Sequence, residues 1–225
     1  MCGRFVVSYT YDELIKLLDN DFEDIDQKQE VSLPRYNIAP TEKVYSLIND
    51  GKCYRLGTLK WGFNSSFNNA PLINARSETI DSKQTFKDSF FNKRSILPVS
   101  GFYEWDRKKG KVPYYFKNED DKPLYFASIW GSYKENDETI YTTSILTREA
   151  TKEMIEIHDR IPVILSSEQA KSWMNPDMND LNTLKDIINN GNQIELMKYQ
   201  VSNKVNKVGF DNIDCLKPYT DNVLF

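Results

Sequence analysis

Apolar residues along this chain fall mostly into short alternating or continuous blocks, and helical spacing is confined to a few places. In Thr10-Tyr11-Asp12-Glu13 a hydroxyl is followed three positions later by a carboxylate, the pattern of a capping box, and Leu14, Ile15, Leu17 and Leu18 come next at helical spacing. This predicts a short helix after the N-terminal segment. Residues 43–49 and 53–60 are β-branched, aromatic or apolar runs flanking Asn49-Asp50-Gly51, which predicts a hairpin. A second hairpin is expected from Ser95 to Phe116, turning at Lys108-Lys109-Gly110. Further strands are predicted at Leu124 to Trp130, Thr139 to Leu146, Val163 to Leu165 and Leu196 to Val201. Helices are predicted at Thr85 to Phe91, Glu149 to Glu156, Ser167 to Met174 and Leu181 to Ile188. Antiparallel-looking strand runs with helices interspersed irregularly imply the α+β class. The expected architecture is a single domain over residues 1–225, with a mixed, partly barrel-like β-sheet flanked by short helices. The polar stretch from Asp19 to Glu30 reads as a surface loop.

Composition sharpens this picture in three respects. At 225 residues, 40% hydrophobic and 13% aromatic, the chain has enough apolar surface for a packed core. No apolar run approaches the ~18 residues of a membrane span. Asp12 and Glu13 follow a short polar start, so no signal peptide is expected and a cytoplasmic location is. Three widely spaced cysteines and one histidine give neither a disulfide framework nor a ligand cluster, so no metal and no cofactor are expected, and Cys53 and Cys215 read as ordinary buried thiols. The net charge of -4 argues against bulk coating of nucleic acid. Charge is nevertheless segregated: residues 12–30 are strongly acidic, whereas Lys83, Lys87, Lys93, Arg94, Arg107, Lys108, Lys109 and Lys111 make residues 83–111 basic. Such a segment is either a local phosphate-binding face or a solvated surface.

The candidate chemistry begins at Cys2. A small second residue permits removal of Met1, which leaves Cys2 as a 1,2-aminothiol, with an α-amine of pKa ~8 two carbons from a thiol. Such a pair either attacks an acyl carbon through sulfur or condenses with an aldehyde through nitrogen and closes a thiazolidine ring. His158, the lone histidine, lies between a helical pattern and an apolar strand, where it is either structural or a proton carrier. Glu104 sits in the aromatic run Gly101-Phe102-Tyr103-Glu104-Trp105. It is either buried, with a raised pKa suited to acid–base work, or on a wet face together with Phe102. Asn74, Arg76 and Glu78 share one side of an extended segment, as a phosphate-binding constellation or as a salt-bridged edge strand. Trp61 reads as core.

These segments together carry a resemblance. Met1-Cys2-Gly3-Arg4-Phe5, Arg35-Tyr36-Asn37-Ile38-Ala39-Pro40, Trp61-Gly62, Ile73-Asn74-Ala75-Arg76-Ser77-Glu78-Thr79, Gly101-Phe102-Tyr103-Glu104-Trp105 and His158-Asp159-Arg160-Ile161-Pro162-Val163-Ile164-Leu165 resemble, in order, the motifs of the SOS response-associated peptidase family, the abasic-site-processing proteins. Val201-Ser202-Asn203-Lys204-Val205-Asn206 is similar to the closing motif.

The resemblance implies a sensor and shield of abasic sites in single-stranded DNA, in plain strands or at single/double-strand junctions. Cys2, freed of Met1, would form a covalent link to the ring-opened aldehyde, with lyase-type Schiff-base chemistry and self-removal of Met1 as associated activities. It assigns Cys2, Asn74, Glu104 and His158 to the active site and Arg4, Arg76 and Arg160 to positions near phosphates. Trp105 is a candidate stacking surface, and Phe67, standing where a tryptophan is expected, a candidate wedge. A monomer, nucleoid-associated when bound to DNA, is expected. Two rival readings remain at this point: an N-terminal-nucleophile glutamine amidohydrolase and a non-catalytic single-stranded-DNA-binding module.

Overall fold

Eighteen strands and helices follow one another through the computed structural model, which describes residues 2–64, 70–152, 154–190 and 195–220. In order they are β1 (Phe5–Val7), α1 (Tyr11–Asp21), β2 (Ile25–Gln27), β3 (Arg35–Ile38), β4 (Lys43–Asn49), β5 (Tyr54–Trp61), β6 (Asn74–Arg76), α2 (Gln84–Asn92) and β7 (Arg94–Val99). Then come β8 (Gly101–Asp106), β9 (Val112–Asn118), β10 (Leu124–Glu135), β11 (Glu138–Glu149), β12 (Arg160–Pro162), β13 (Ile164–Leu165), α3 (Ser167–Met174), α4 (Leu181–Asn189) and β14 (Leu196–Gln200). Two short 3-10 turns, Asn203–Asn206 and Ile213–Leu216, follow β14.

Local chemistry accounts for the element ends. Thr10 accepts from the Glu13 N–H, and Glu13 accepts from the Thr10 N–H at 2.8 Å, the reciprocal box that starts α1 and leaves Leu14 and Leu18 buried one turn apart. Ser166 and Gln169 cap α3 in the same way, and Asp180 caps α4. The β4–β5 hairpin turns where Asp50 Oδ1 accepts from the Lys52 and Cys53 N–H groups, with Gly51 at φ 88°.

The α+β expectation holds, and the barrel is specific. β11, β10, β7, β4 and β5 pair in sequence, and the parallel pairing of Thr142 and Thr143 with Lys60 and Trp61 joins β11 back to β5 and closes the ring. A second sheet has the order β14-β9-β8-β1-β3. Alternate residues of the barrel strands divide between two cores. Leu47, Ile96, Ala127, Ile129 and Leu146 pack with helix residues such as Leu14, Phe90, Trp173 and Leu184. Val44, Trp61, Leu97, Val99, Phe126 and Ile145 pack with Phe5, Phe102 and Phe116 of the second sheet. Among the described residues no helix is long and apolar enough to cross a membrane, and no metal-binding cluster is present.

Four local expectations are corrected. The hairpin from Ser95 to Phe116 is split at Ser100: β7 belongs to the barrel, and the hairpin is β8–β9 in the second sheet. Among the described residues of 149–156 there is no helix, because β11 runs on to Glu149 to pair with Arg160 of β12, and a turn burying Met154 and Ile157 follows. The Asp19 to Glu30 stretch contains β2, which pairs in parallel with β5. Cys215 is buried, but Cys53, in the β4–β5 turn, is only half-buried.

The join between the two halves depends on Gly101. A Cβ there would lie 2.3 Å from the Phe116 carbonyl oxygen and 2.6 Å from the Tyr115 ring, whereas one at Gly57 of β5 would meet nothing within 4 Å. Gly101→Ala is expected to cost about 3 kcal/mol through overpacking, and Gly57→Ala to stay within about 0.5 kcal/mol of wild type. Urea unfolding of both variants checks the contrast; equal effects would refute the close-approach argument.

Candidate functional site

β1 runs antiparallel to β8, with Phe5 opposite Phe102 and Val6 opposite Gly101. The bond from the Tyr103 N–H to the Arg4 carbonyl (2.9 Å) continues this register toward the N-terminus and sets Gly3 against Glu104, so that the Glu104 charge acts on the adjacent Cys2 thiol. Both are buried: Cys2 is 0% and Glu104 2% exposed. Phe102 is buried as well at 0%, so the wet-face alternative does not hold for this strand. The reason is the second sheet's packing on the barrel, which covers the face carrying Phe102.

Burial, followed by the charge of Glu104, pushes the Cys2 thiol far above its ordinary pKa. Burial pushes the Glu104 carboxyl up to about 7. Glu104 is therefore poised to hold and release a proton near neutrality, while the thiol stays protonated until a base takes its hydrogen.

Asn74 opens β6, which lies parallel to β11 with Asn74 beside Ile145. Its Nδ2 donates to the Cys2 carbonyl at 2.9 Å, and its buried Oδ1 accepts from no group among the described residues. One end of the amide thus fixes the Cys2 backbone and the other is available as an acceptor.

His158 closes the turn after β11 and is 7% exposed. Its N–H donates to the Met154 carbonyl (3.0 Å), and Met154 and Ile157 pack in the same apolar cluster as Cys2. Burial lowers the His158 pKa, so the ring is neutral at pH 7 and the short contact with exposed Asp159 is not an ion pair. Nδ1 accepts from the Arg160 N–H at 3.0 Å, which leaves the ring hydrogen on Nε2.

The predicted cations have different surroundings. Arg76 is exposed, and among the described residues its guanidinium makes no hydrogen bond or ion pair. Arg160 is buried, and its fork is held by the Glu78 carboxylate at 2.7 and 2.9 Å. Arg4 is buried too, and Nη1 donates to Asn37 Oδ1 and the Val205 carbonyl, both at 2.8 Å. Arg94, counted with the basic segment in the sequence, is withdrawn from the surface altogether at 5% exposure. Trp105 turns away from Glu104 along the strand; its Nε1 donates to Asn206 Oδ1 at 2.6 Å, and the indole packs beside Val6, Tyr103 and Tyr115. Phe67 lies outside the described residues.

One group that the sequence offers only as a member of the basic segment 83–111 acts on the site. The positive charge of Arg107, in the turn after β8, helps lower the pKa of both Glu104 and His158, which puts an exposed cation beside the two proton carriers. Its sequence signal is that basic segment, together with its place three residues beyond Glu104. A cleft of about 310 Å³ elsewhere, lined by Ser46, Ile48, Gly57, Leu59, Trp130 and Tyr141 among others, contains none of the site residues.

The chain was compared with known proteins. A sequence profile of the SOS response associated peptidase (SRAP) family matches residues 1–208. The abasic site processing protein YoaM of Bacillus subtilis is 36% identical over 217 residues, covering 92% of this chain and 93% of that protein. YedK of Escherichia coli, of the same description, is 35% identical over 182 residues, covering 79% and 81%. A crystal structure of a Bacteroides thetaiotaomicron protein matches with a TM-score of 0.73 at 20% identity, over 97% of this chain and 100% of that one, a likeness of fold alone. With a family profile across nearly the whole chain and full-length relatives above 30% identity, this chain belongs to the SOS response-associated peptidase family.

Proposed function

We propose that this protein recognises abasic sites in single-stranded DNA and cross-links to them through Cys2 once Met1 is removed. The reading is carried by the convergence at the head of β1: a buried cysteine, a carboxyl with a pKa of about 7 across from it, and Asn74 on its backbone carbonyl. Relatives that share the family bear the description abasic site processing protein.

The abasic sugar is mainly a closed hemiacetal. Glu104, protonated, gives its hydrogen to the ring oxygen as its bond to C1′ breaks, the C1′ hydroxyl passes its own hydrogen to solvent water, and the aldehyde opens. The neutral α-amine of Cys2 adds to C1′, one water leaves, and an imine forms. The thiol sulfur then bonds to the imine carbon while its hydrogen passes, through Glu104 or His158, to the imine nitrogen. The product is a thiazolidine, and the net reaction is aldehyde plus aminothiol giving thiazolidine plus water. Before ring closure the imine acidifies C2′, so β-elimination of the 3′ phosphate is the natural side reaction and gives weak lyase activity. Asn74 Oδ1 receives a sugar hydroxyl or amine hydrogen. Arg76 and Arg107 supply positive charge to flanking phosphates. Removal of Met1 by the protein itself belongs to the same proposal.

The test is incubation of untagged protein with a single-stranded oligonucleotide bearing one abasic site, followed by denaturing gel and intact-mass analysis. A heat-resistant adduct lacking Met1 and mapping to Cys2 is expected. No adduct from protein verified to begin at Cys2 would overturn the proposal and direct attention to glutamine hydrolysis.

Glu104 gives a second, pH-resolved test. Its folded pKa of about 7 lies above the ordinary 4.5, so the folded state binds this proton more tightly than the unfolded chain. Its contribution to stability is therefore complete below pH 4.5 and is lost as pH rises to about 7, to a total of up to about 3 kcal/mol. Glu104→Gln, which cannot ionise, is expected to be more stable than wild type at pH 8 and equal to it near pH 4. The same variant is expected to form adduct about 100-fold more slowly. Urea titrations at the two pH values and a single-turnover time course read both effects; an unchanged rate would remove Glu104 from the proton-transfer role.

A further inference from the structure

A line of polar contacts leads from α4 to His158. It starts on α4, where Lys185 Nζ donates to the carbonyls of Ser77 (2.9 Å) and Glu78 (3.4 Å) and pairs with Asp81 at 2.5 Å. One ammonium thus closes the turn that follows β6. That turn presents Glu78, whose two carboxylate oxygens accept from Nη1 and Nη2 of Arg160 at 2.7 and 2.9 Å. Burial works against the charge on Glu78, yet the Arg160 fork holds its pKa below the ordinary carboxylate value, so the pair is ionised at neutral pH. Nη2 of Arg160 also donates to the Thr147 carbonyl at 2.6 Å. A planar fork gripped by three acceptors has one orientation.

Arg160 begins β12, a strand of three residues that ends in Pro162. A strand this short supplies few ladder bonds, so the anchored side chain contributes substantially to where the Arg160 backbone sits. That backbone N–H is the donor to His158 Nδ1.

We propose that Glu78, presented by Lys185, is a positioning residue for His158: by clamping Arg160 it keeps the backbone N–H on Nδ1 and so keeps the ring hydrogen on Nε2. The competing partner is Asp159, whose Oδ1 lies 2.9 Å from the same nitrogen. A carboxylate there demands a hydrogen on Nδ1, and one nitrogen cannot accept from Arg160 and donate to Asp159 at once. The outcome is decided by exposure. The Asp159 side chain is 79% exposed and takes its hydrogen bonds from water, whereas the Arg160 N–H, beside a buried ring, has no such recourse. Arg107 is another charged side chain acting on the ring, where its positive charge lowers the pKa. If the clamp loosens, Arg160 withdraws its N–H and the ring turns its hydrogen toward Asp159.

His158 is the only histidine in the chain, so ring-nitrogen NMR of labelled protein reads a single imidazole without any DNA. At pH 8, wild type is expected to carry the hydrogen on Nε2. Glu78→Gln keeps the shape of the side chain and removes its charge; the Nδ1–H form is expected to rise about tenfold relative to the Nε2–H form. Lys185→Met, on the far side of the turn, is expected to move the ratio the same way by a smaller factor. Adding Asp159→Asn to Glu78→Gln removes the competitor and is expected to restore Nε2–H. A folded Glu78→Gln protein with the wild-type ratio overturns the proposal; if that variant does not fold, an unchanged ratio in Lys185→Met does so instead.

The consequence for cross-linking rests on the function proposed above. There, Glu78→Gln is expected to lower the saturated single-turnover rate about tenfold without raising the half-saturating DNA concentration, and Asp159→Asn to rescue the rate. A tautomer change in variants of a protein that forms no adduct even as wild type would leave the positioning role standing and refute the cross-linking reading. A tautomer change with an undiminished rate would confine the clamp to structure and remove His158 from the rate-limiting step.

Discussion

Cys2→Ala is expected to lose the heat-stable adduct entirely, by at least a factor of about 100 in yield, while keeping DNA binding and the ability to form a reducible imine. Alanine at the mature N-terminus retains the amine that attacks C1′ but has no sulfur to close the ring. The imine then either hydrolyses or eliminates the 3′ phosphate. Two readouts distinguish this from a folding defect. Borohydride reduction during the reaction should trap the Cys2→Ala protein on DNA, and strand cleavage should increase relative to wild type. The cavity left by one sulfur atom in the buried cluster around Phe5 and Trp61 costs only about 1 kcal/mol, too little to unfold the domain. A variant that still gives a heat-stable adduct would show that sulfur is not the trapping atom.

The second large effect concerns stability, at a residue far from the chemistry. The buried guanidinium of Arg94 faces no carboxylate. It donates instead to five carbonyl oxygens: Trp173 at 2.5 Å, Phe90 at 3.1 Å, Phe91, Asn175 at 2.6 Å and Met178 at 2.8 Å. These are the terminal carbonyls of α2 and α3 and of the loop that follows α3, where the peptide dipoles accumulate negative charge. One cation thus satisfies the ends of two helices and stacks near the Trp173 ring at 5.7 Å. Arg94→Met fills similar space but takes this donor from all five carbonyls, of which Asn175 still accepts from the Met178 N–H at 3.1 Å. It is expected to cost about 4 kcal/mol, read as a fall in urea midpoint with an unchanged slope. Arg94→Lys should recover less than half of that, because an ammonium has three donors and no planar fork. A loss below about 1 kcal/mol in the methionine variant would mean that the carbonyls find water instead.

Arg94 also marks where sequence reading stops. In the sequence it is one more charge in a basic run, and only its neighbours in space make it an internal cap. The elements that were legible were those whose signals are local. The Thr10/Glu13 box, the Asn49-Asp50-Gly51 turn and the apolar spacing of α3 and α4 each depend on residues within a few positions of one another. What was not legible depended on partners distant in the chain. β11 continues through Glu149, where a helix was expected, because Arg160 of β12 pairs with it, and β2 forms in a polar stretch because β5 offers an edge.

The candidate site divides in the same way. Cys2, Asn74, Glu104 and His158 were singled out by residue type and motif, and their surroundings give physical reasons for attention to each. The arginines were harder. Residue type alone does not distinguish Arg76, exposed and unengaged among the described residues, from Arg160 and Arg4, whose guanidinium groups are bonded inside the fold. Arg107 belongs to no motif, and the basic run that contains it does not separate it from its neighbours; its position in space does.

The bond from Arg4 to Val205 spans 201 residues of sequence. The segment that holds the first strand in place is therefore made long after it, and at 5–20 residues per second roughly 10 to 40 s separate the emergence of Arg4 from that of its anchor. During that interval the head of the nascent chain cannot yet be enclosed as Cys2 is in the finished fold. An aminopeptidase working at the exit tunnel would have its opportunity then, and once Val205 has docked only removal by the protein itself, as proposed above, can still expose the cysteine.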